Sequence, residues 1–118
     1  MTDRLSHLTR RLVAFRDARD WSQFHSLKNL MLSLNLEASE LLELAQWKSD
    51  AEVDASLADP AFKERLAEEC ADILNYLLLI CERAGIDLAE AADAKISRND
   101  AKYPVAKARG SAKKYTEL

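Results

Sequence analysis

The sequence predicts an all-α protein, and three observations support this class. The chain has only two Gly and two Pro among its 118 residues, so it contains few of the residues that form tight turns. Apolar residues recur at helical spacing over most of the chain. No alternating pattern of convincing length predicts a strand. We therefore expect a helical bundle with four main helices, in a single domain over residues 1–118 whose last segment, 105–118, is a C-terminal tail.

The first two helices are predicted from periodicity. The first runs from about Asp3 to Arg19, and the second runs from about Ser26 to Trp47. Apolar side chains of the second helix recur about every 3.6 residues, which predicts one buried face. Residues 48–58 are predicted to form a polar connector.

The third and fourth helices have clear boundary signals. The third opens at Asp59-Pro60, a capping residue followed by Pro at the first helical position, and closes at Gly85. The fourth begins at Asp87, where Glu90 three residues later resembles a capping box, and must end before Pro104. These signals predict both ends of each helix.

The centre of the third helix predicts self-association. Residues 73–81 are apolar almost all the way round the helix, so more than one neighbouring helix must cover them. Four helices from one small chain can hardly do so. We therefore expect the bundle to be completed by homo-oligomerisation.

Composition excludes several classes of protein. The chain is 48% hydrophobic and 31% charged, with a formal net charge of −3, which is typical of a soluble globular domain and not of a protein that binds a nucleic acid polymer. No apolar run reaches the roughly 18 residues of a membrane span, and the N-terminus lacks the apolar core of a secretory signal. We expect a cytoplasmic protein without a membrane partner. Two Gly also exclude Gly-rich phosphate-binding loops.

Two pairs of acidic residues are candidate metal ligands. Glu37 lies within the apolar stripe of the second helix and Glu40 borders it, with no Lys or Arg three or four residues away. Glu69 and Asp72 repeat the spacing on the third helix, with Tyr76 one turn later. Together the four carboxylates can build an oxygen-only site suited to Mg²⁺ or Mn²⁺.

The alternative is that these acids are solvated charges at the bundle edge. In that case Arg65 would pair with Glu69 at i, i+4. The spacing alone does not decide between the two interpretations.

Other polar and aromatic residues also have two interpretations. Lys95 and Asn99 share the face of the fourth helix that should pack inward, where they could meet a phosphate or simply be a snorkelling Lys and a helix-end Asn. Aromatic residues precede and end the second helix, where they suit either corner packing or base stacking; they are Trp21, Phe24, His25 and Trp47.

Seven segments in this order resemble one family. They are residues 20–25, 28–30, 37–43, 46–48, 68–77, 95–104 and 108–118. They resemble the MazG-like all-α nucleoside triphosphate pyrophosphohydrolases, and within these the dCTP pyrophosphatase group. The resemblance runs from about Asp20 to Leu118.

The resemblance implies an activity. Members of this family cleave a nucleoside triphosphate between the α and β phosphates with Mg²⁺, and Mn²⁺ can substitute. The expected substrate is dCTP or modified dCTP, removed for nucleotide pool sanitation, by a homodimer or homotetramer. The alternative function is a non-catalytic helical module for nucleotide binding or oligomerisation.

The resemblance also implies roles for individual residues. The metal ligands would be Glu37, Glu40, Glu69 and Asp72. The substrate contacts would be Trp21, Phe24, His25, Asn29, Trp47 and Tyr76 for the nucleoside side, and Lys95, Asn99 and Tyr103 for the phosphates. The catalytic residues would be Glu40, which orients the attacking water, and Lys95, which offsets charge on the departing pyrophosphate.

Overall fold

A computed structural model describes residues 3–118, and within this range the secondary structure is entirely helical. Four of the helices have 15 or more residues. In chain order the α-helices are α1 (Arg4–Ala18), α2 (Leu27–Glu43), α3 (Asp50–Ser56), α4 (Pro60–Ala84), α5 (Leu88–Lys102) and α6 (Val105–Ala108). Short 3₁₀ turns cover Ser22–Phe24 and Tyr115–Glu117. The all-α prediction is confirmed.

The capping residues act as the sequence predicts. Side-chain oxygens of Asp3, Ser26, Asp59 and Asp87 accept hydrogen bonds from backbone N–H groups in the first turns of α1, α2, α4 and α5. Gly85 ends α4 with φ of 69°, in the left-handed region that other residues adopt only with strain. Local hydrogen bonding therefore sets most helix ends.

Two boundary predictions are wrong, and the tail contains local structure that was not predicted. α2 ends at Glu43 and not at Trp47, because residues 44–47 form turns. The expected connector at 48–58 contains α3, whose Ser49 and Glu52 form a complete capping box. The tail after Pro104 contains α6 and a 3₁₀ turn. Hydrogen bonds between near neighbours in the chain stabilise both short helices, which are too short to show apolar periodicity.

The first of two compact units ends at Gly85 and contains α1 to α4. In this unit α1 and α2 both pack against α4. Arg16 of α1 also donates to Glu82 of α4 at 3.1 Å. Among residues 3–118, the buried side chains all lie in this unit: Leu30, Leu44, Phe62, Leu78, Leu79 and Cys81. The core is therefore small and centred on the second half of α4.

The apolar surface left uncovered lies mainly on α2. The residues of α4 around Ile73 and Leu77 are half-buried, whereas Met31, Leu32, Leu36 and Leu42 of α2 are each more than half exposed. Within this chain α1 and α2 both pack on α4. That another copy of the chain completes the cover of the third helix remains a prediction.

The second compact unit runs from Ile86 to Leu118. Tyr103 and Tyr115 meet edge to face at 6.1 Å, and the Lys102 ammonium lies 4.9 Å from the Tyr115 ring centre. Lys95 and Asn99 are exposed, so the prediction that their face packs inward is wrong for this chain. Only Leu88 and Ala89, at the start of α5, are half-buried on this helix. Within residues 3–118 no helix has both the length and the apolarity to cross a membrane.

Candidate active site

A cluster of carboxylates forms where α2 packs against α4. Glu37 and Glu40 are one turn apart on α2, and Glu69 lies on α4. Because i, i+3 residues share a helix face, the contact between the two helices brings these side chains together. One carboxylate oxygen from each lies within 4.8 Å of the others. We call these three residues, together with Asp72, the carboxylate cluster.

Burial and mutual repulsion disfavour ionisation in this cluster. Burial of the carboxyl, with the neighbouring Glu40 and the charges of Asp72 and Glu69, raises the pKa of Glu37 from 4.5 to about 7. Burial and the charge of Glu40 likewise raise the pKa of Glu69. The Oε2 atoms of Glu37 and Glu69 are buried and have no hydrogen-bond partner among residues 3–118. The cluster therefore gains free energy if a cation joins it.

Asp72 has an outer position in the cluster. It lies outside the group of three converging oxygens, yet its charge raises the pKa of both Glu37 and Glu69. The alternative pairing of Arg65 with Glu69 does not occur, since the ion pairs of the described chain are made by Arg16. Within the described part of the chain, no Lys or Arg therefore forms an ion pair with these acids.

The donor set of the cluster fits a hard divalent cation. All of its ligands are carboxylate oxygens, which Mg²⁺ and Mn²⁺ prefer, and no Cys or His contributes. The unpartnered buried oxygens and the like charges are both explained if a cation binds there. Solvated acids at a bundle edge would not bury oxygen atoms without partners.

A cleft of about 770 Å³ opens beside Asp72. α1, the Trp21–His25 turn and α4 supply its walls. Predicted substrate contacts in its lining are Trp21, His25 and Tyr76. Three arginines, Arg11, Arg16 and Arg19, also line it. A volume of this size, with aromatic and charged groups in its walls, is typical of a small-molecule site. Asp72 belongs to both the cleft and the carboxylate cluster.

The corner between α1 and α2 positions Trp21 in the cleft. Asp20 has φ of 53°, which turns the chain sharply after α1. The backbone N–H of Trp21 then donates to the carbonyl of Arg16 at 3.0 Å. The ring of Trp21 meets that of Phe15 edge to face at 5.6 Å, an arrangement that aromatic pairs favour. The indole is therefore held by its own segment of the chain.

Three predicted substrate residues do not line this cleft. Phe24 is exposed, and Trp47 has 87% of its surface exposed. The Asn29 side chain donates to the carbonyl of Phe24 at 3.2 Å, which ties the corner to the start of α2. Their contact with substrate remains a prediction.

The predicted phosphate contacts lie in the second unit. Lys95 and Asn99 are on α5, and Tyr103 ends it. Their roles likewise remain predictions.

The cleft also contains residues that the sequence interpretation missed. Asn75 is half-buried in its lining, and Leu12, Phe15 and Arg11 reach it from α1. One signal was available, since Asn75 interrupts an otherwise apolar run on α4. No pattern in the sequence pointed to Phe15 and Arg11 of α1, because they become neighbours of α4 only through tertiary packing.

Comparison with known proteins places the chain among related enzymes. Residues 32–118 match the model of the MazG-like family. The chain is 47% identical over 110 residues to dCTP pyrophosphatase 1 of Rattus norvegicus and 44% identical to that of Homo sapiens. These matches cover 92% of this chain but 65% of each relative, so the chain spans about two thirds of their length.

A solved structure gives the same relationship. The chain superposes on a pyrophosphatase from Archaeoglobus fulgidus with a TM-score of 0.80 and 39% identity, over 88% of this chain and 95% of that one. The family match covers most of this chain and includes all four residues of the carboxylate cluster. The chain therefore belongs to the MazG-like family.

Proposed function

We propose that this protein is a Mg²⁺-dependent nucleoside triphosphate pyrophosphohydrolase. It cleaves the bond between the α and β phosphates and releases the monophosphate and pyrophosphate. The observation that carries the proposal is the convergence of Glu37, Glu40 and Glu69 next to a cleft that Asp72 lines. The names of the mammalian relatives support dCTP, or modified dCTP, as the substrate. Such an enzyme would clear these nucleotides from the cytoplasmic pool.

The carboxylate cluster would hold the cation. Mg²⁺ is the proposed ion, and Mn²⁺ can replace it, because both prefer carboxylate oxygens. When bound, the ion neutralises charge on phosphate oxygens and lowers the pKa of a coordinated water. Glu37 must be ionised to bind it, so its pKa of about 7 predicts weaker binding in acid.

Two residues of the chain have proposed catalytic roles. Glu40 is the exposed member of the converging group, which lets it reach a solvent molecule, orient that water towards the α phosphorus and accept its proton. Lys95 would offset the negative charge on the departing pyrophosphate, a role that a point charge can serve. Asn99 and Tyr103 would bind the other phosphate oxygens.

The cleft would hold the nucleoside. Trp21 and Tyr76 offer aromatic surfaces for a base, and His25 offers a ring nitrogen, Nδ1, that is buried without a partner among residues 3–118. Phe24, Asn29 and Trp47 are proposed as further contacts at its edge. A base that stacks on these rings would be partly removed from water, which strengthens each polar contact to it.

A homodimer or homotetramer is the proposed assembly. Leu36 has 63% and Leu42 has 67% of its surface exposed, on the same helix that carries Glu37 and Glu40. An apolar face of this kind is typical of an interface between copies. The charged variant Leu36→Asp should therefore shift the protein to smaller species in sedimentation velocity. An unchanged distribution of species would contradict this assembly.

The activity is tested with a panel of common and 5-modified dNTPs and NTPs in the presence of Mg²⁺. Pyrophosphate and orthophosphate are scored separately, because only cleavage between the α and β phosphates yields pyrophosphate directly. Glu37→Gln should abolish turnover, since the cation loses one ligand. The matched control is Glu43→Gln, which removes an exposed carboxyl from the same helix and should retain activity.

The alternative function predicts a different result. A non-catalytic helical nucleotide-binding or oligomerisation module would release no pyrophosphate from any nucleotide. Mg²⁺ would still raise its Tm through the carboxylate cluster. Release of pyrophosphate that is lost in Glu37→Gln and kept in Glu43→Gln excludes this alternative.

A further inference from the structure

Asn75 is a polar residue of the cleft whose side chain has no role in the cation site. Asn75 lines the cleft from α4 and is half-buried, and its amide makes no hydrogen bond to any residue from 3 to 118. An amide that the fold leaves free at the wall of a cleft can exchange its water for hydrogen bonds to a bound ligand. Asn75 also lies outside the carboxylate cluster, so it has no part in binding the cation.

The surroundings of Asn75 suit a flat heteroaromatic ring. The cleft presents the aromatic rings of Trp21 and Tyr76 and the aliphatic side chains of Leu12 and Leu79. Aromatic and aliphatic walls bind the faces of a base, and they leave its polar edge to be satisfied by a small number of hydrogen-bonding groups. Asn75 supplies both a donor and an acceptor for such an edge.

The position of Asn75 on α4 places it one step beyond the carboxylate cluster. Glu69, Asp72 and Asn75 follow one another at intervals of three residues. At about 1.5 Å and 100° per residue, Asn75 lies about 9 Å along the helix axis from Glu69 and about 120° round it. Asp72 lies between them and belongs to both sites. One helix thus presents a cation site at one position and a base-reading group at the next.

We propose that Asn75 reads the polar edge of the substrate base and favours cytosine over uracil. This inference rests on the proposed function. The amide Oδ1 would accept from the exocyclic amine of cytosine, while Nδ2 would donate to the ring N3. Uracil presents an N–H at the ring position and a carbonyl in place of the amine. With the amide in the same orientation, both contacts to uracil are repulsive.

The charge of Asp72 helps to select that orientation of the amide. Asp72 precedes Asn75 by three residues on the same side of the helix. A carboxylate oxygen of Asp72 that does not bind the cation would attract the NH₂ group and repel the carbonyl oxygen of the amide, so the two orientations would not be equivalent. The selection is local and needs no residue from outside α4.

The test compares kcat/KM for dCTP and dUTP, which differ only at the polar edge of the base. Asn75→Leu removes both hydrogen-bonding groups and should lower kcat/KM for dCTP between about fivefold and 150-fold, the range expected for loss of a bidentate base contact. The value for dUTP should rise, because Leu removes both repulsive contacts to uracil, so the ratio falls towards one. The control is Asn35→Leu, which removes an exposed amide from α2 outside the cleft and should keep the wild-type ratio.

A second variant guards against a folding defect. Asn75→Asp keeps the size of the side chain but loses the donor to N3, so the ratio of dCTP to dUTP should again fall. If kcat/KM falls by the same factor for dCTP and dUTP in both Asn75→Leu and Asn75→Asp, the proposal is overturned and Asn75 has a role in packing. A wild-type ratio in either variant would overturn it as well.

Binding of the product separates this inference from the proposed function. If the wild-type protein releases pyrophosphate from no nucleotide, the proposed function fails, and Asn75 is then tested by calorimetric titration with dCMP and dUMP. Tighter binding of dCMP that is lost in Asn75→Leu supports base reading by Asn75. Equal affinities of the wild-type protein for dCMP and dUMP overturn it.

Discussion

Replacing Glu37 by Gln tests the carboxylate cluster, because the change removes one charge and keeps the shape of the side chain. Burial of the carboxyl is the main reason why the pKa of Glu37 rises from 4.5 to about 7, and the neighbouring Glu40, Asp72 and Glu69 add to the shift. At a pH between 4.5 and about 7, the folded protein keeps the proton of Glu37, whereas the unfolded chain releases it. Without metal, the stabilising contribution of the protonated Glu37 carboxyl is therefore complete below pH 4.5 and is lost as the pH rises to about 7.

The size of the effect follows from the same displacement of the pKa. A carboxyl whose pKa rises from 4.5 to about 7 changes the free energy of unfolding by about 3 kcal/mol at most. Because Glu37 is half-buried and solvent screens its charge, we expect the change in the free energy of unfolding to be about 1–2 kcal/mol. Glu37→Gln lacks the ionisable carboxyl. Above about pH 7 it should be more stable than the wild type by that amount, which raises its Tm by about 5–10 °C.

The assay is urea unfolding followed by circular dichroism, in EDTA, at steps from about pH 5 to about pH 8. The difference in the free energy of unfolding between the variant and the wild type should increase as the pH rises. Glu43→Gln, at the exposed end of the same helix, should follow the wild type throughout. Mg²⁺ at about ten times its Kd should then stabilise the wild type by about 1.4 kcal/mol and the Glu37→Gln variant by less.

Two results would refute this reasoning. One is a Glu37→Gln variant that is less stable than the wild type above about pH 7, since relief of repulsion could not then be the dominant effect. The other is a stability difference that does not change with pH. Either result would mean that the carboxyl of Glu37 does not share the buried, like-charged environment of the cluster.

Four further predictions concern the fold and the edge of the site. Gly85→Ala should lower the free energy of unfolding in urea by about 1–2 kcal/mol, because φ of +69° strains any residue with a Cβ although nothing lies within 4 Å of it. Arg16→Gln and Glu82→Gln should show a coupling of about 0.5–1 kcal/mol in a double-mutant cycle, weakening at high salt, because one contact of 3.1 Å joins them. Leu30→Ala should cost about 3 kcal/mol, because the side chain is 2% exposed, and a loss below about 1 kcal/mol would contradict its place in the core. Trp47→Ala should raise KM with kcat unchanged and leave stability within about 0.5 kcal/mol, since the ring is 87% exposed; an unchanged KM would remove Trp47 from the substrate contacts.

Helix starts could be predicted from sequence because they depend on near neighbours. A capping side chain such as Asp87 reaches a backbone N–H three residues away, and Gly85 adopts its left-handed conformation with no contact from elsewhere. α3 has the same kind of signal in Ser49 and Glu52, so the missed helix was predictable in principle. The end of α2 was harder to predict, because apolar residues continue into the turns that follow Glu43.

The cluster was predicted in part for a similar reason. The spacing of Glu37 with Glu40 on α2, and of Glu69 with Asp72 on α4, follows from helical geometry alone. Which of the four carboxylates converge depends on how α2 crosses α4. That crossing brings three oxygens together and leaves Asp72 towards the cleft.

By itself, the sequence determined that the chain is helical, where most of its helices begin, and which acids lack a basic partner nearby in the chain. These properties depend on spacing within one helix or one turn. The tertiary structure alone decided that Glu37 and Glu69 bury unpartnered oxygens, that Asn75 faces a cleft shared with α1, and that α2 keeps an exposed apolar side. The physical reason is that burial and pKa depend on which surfaces of separate helices meet, and residues distant in the sequence determine that contact.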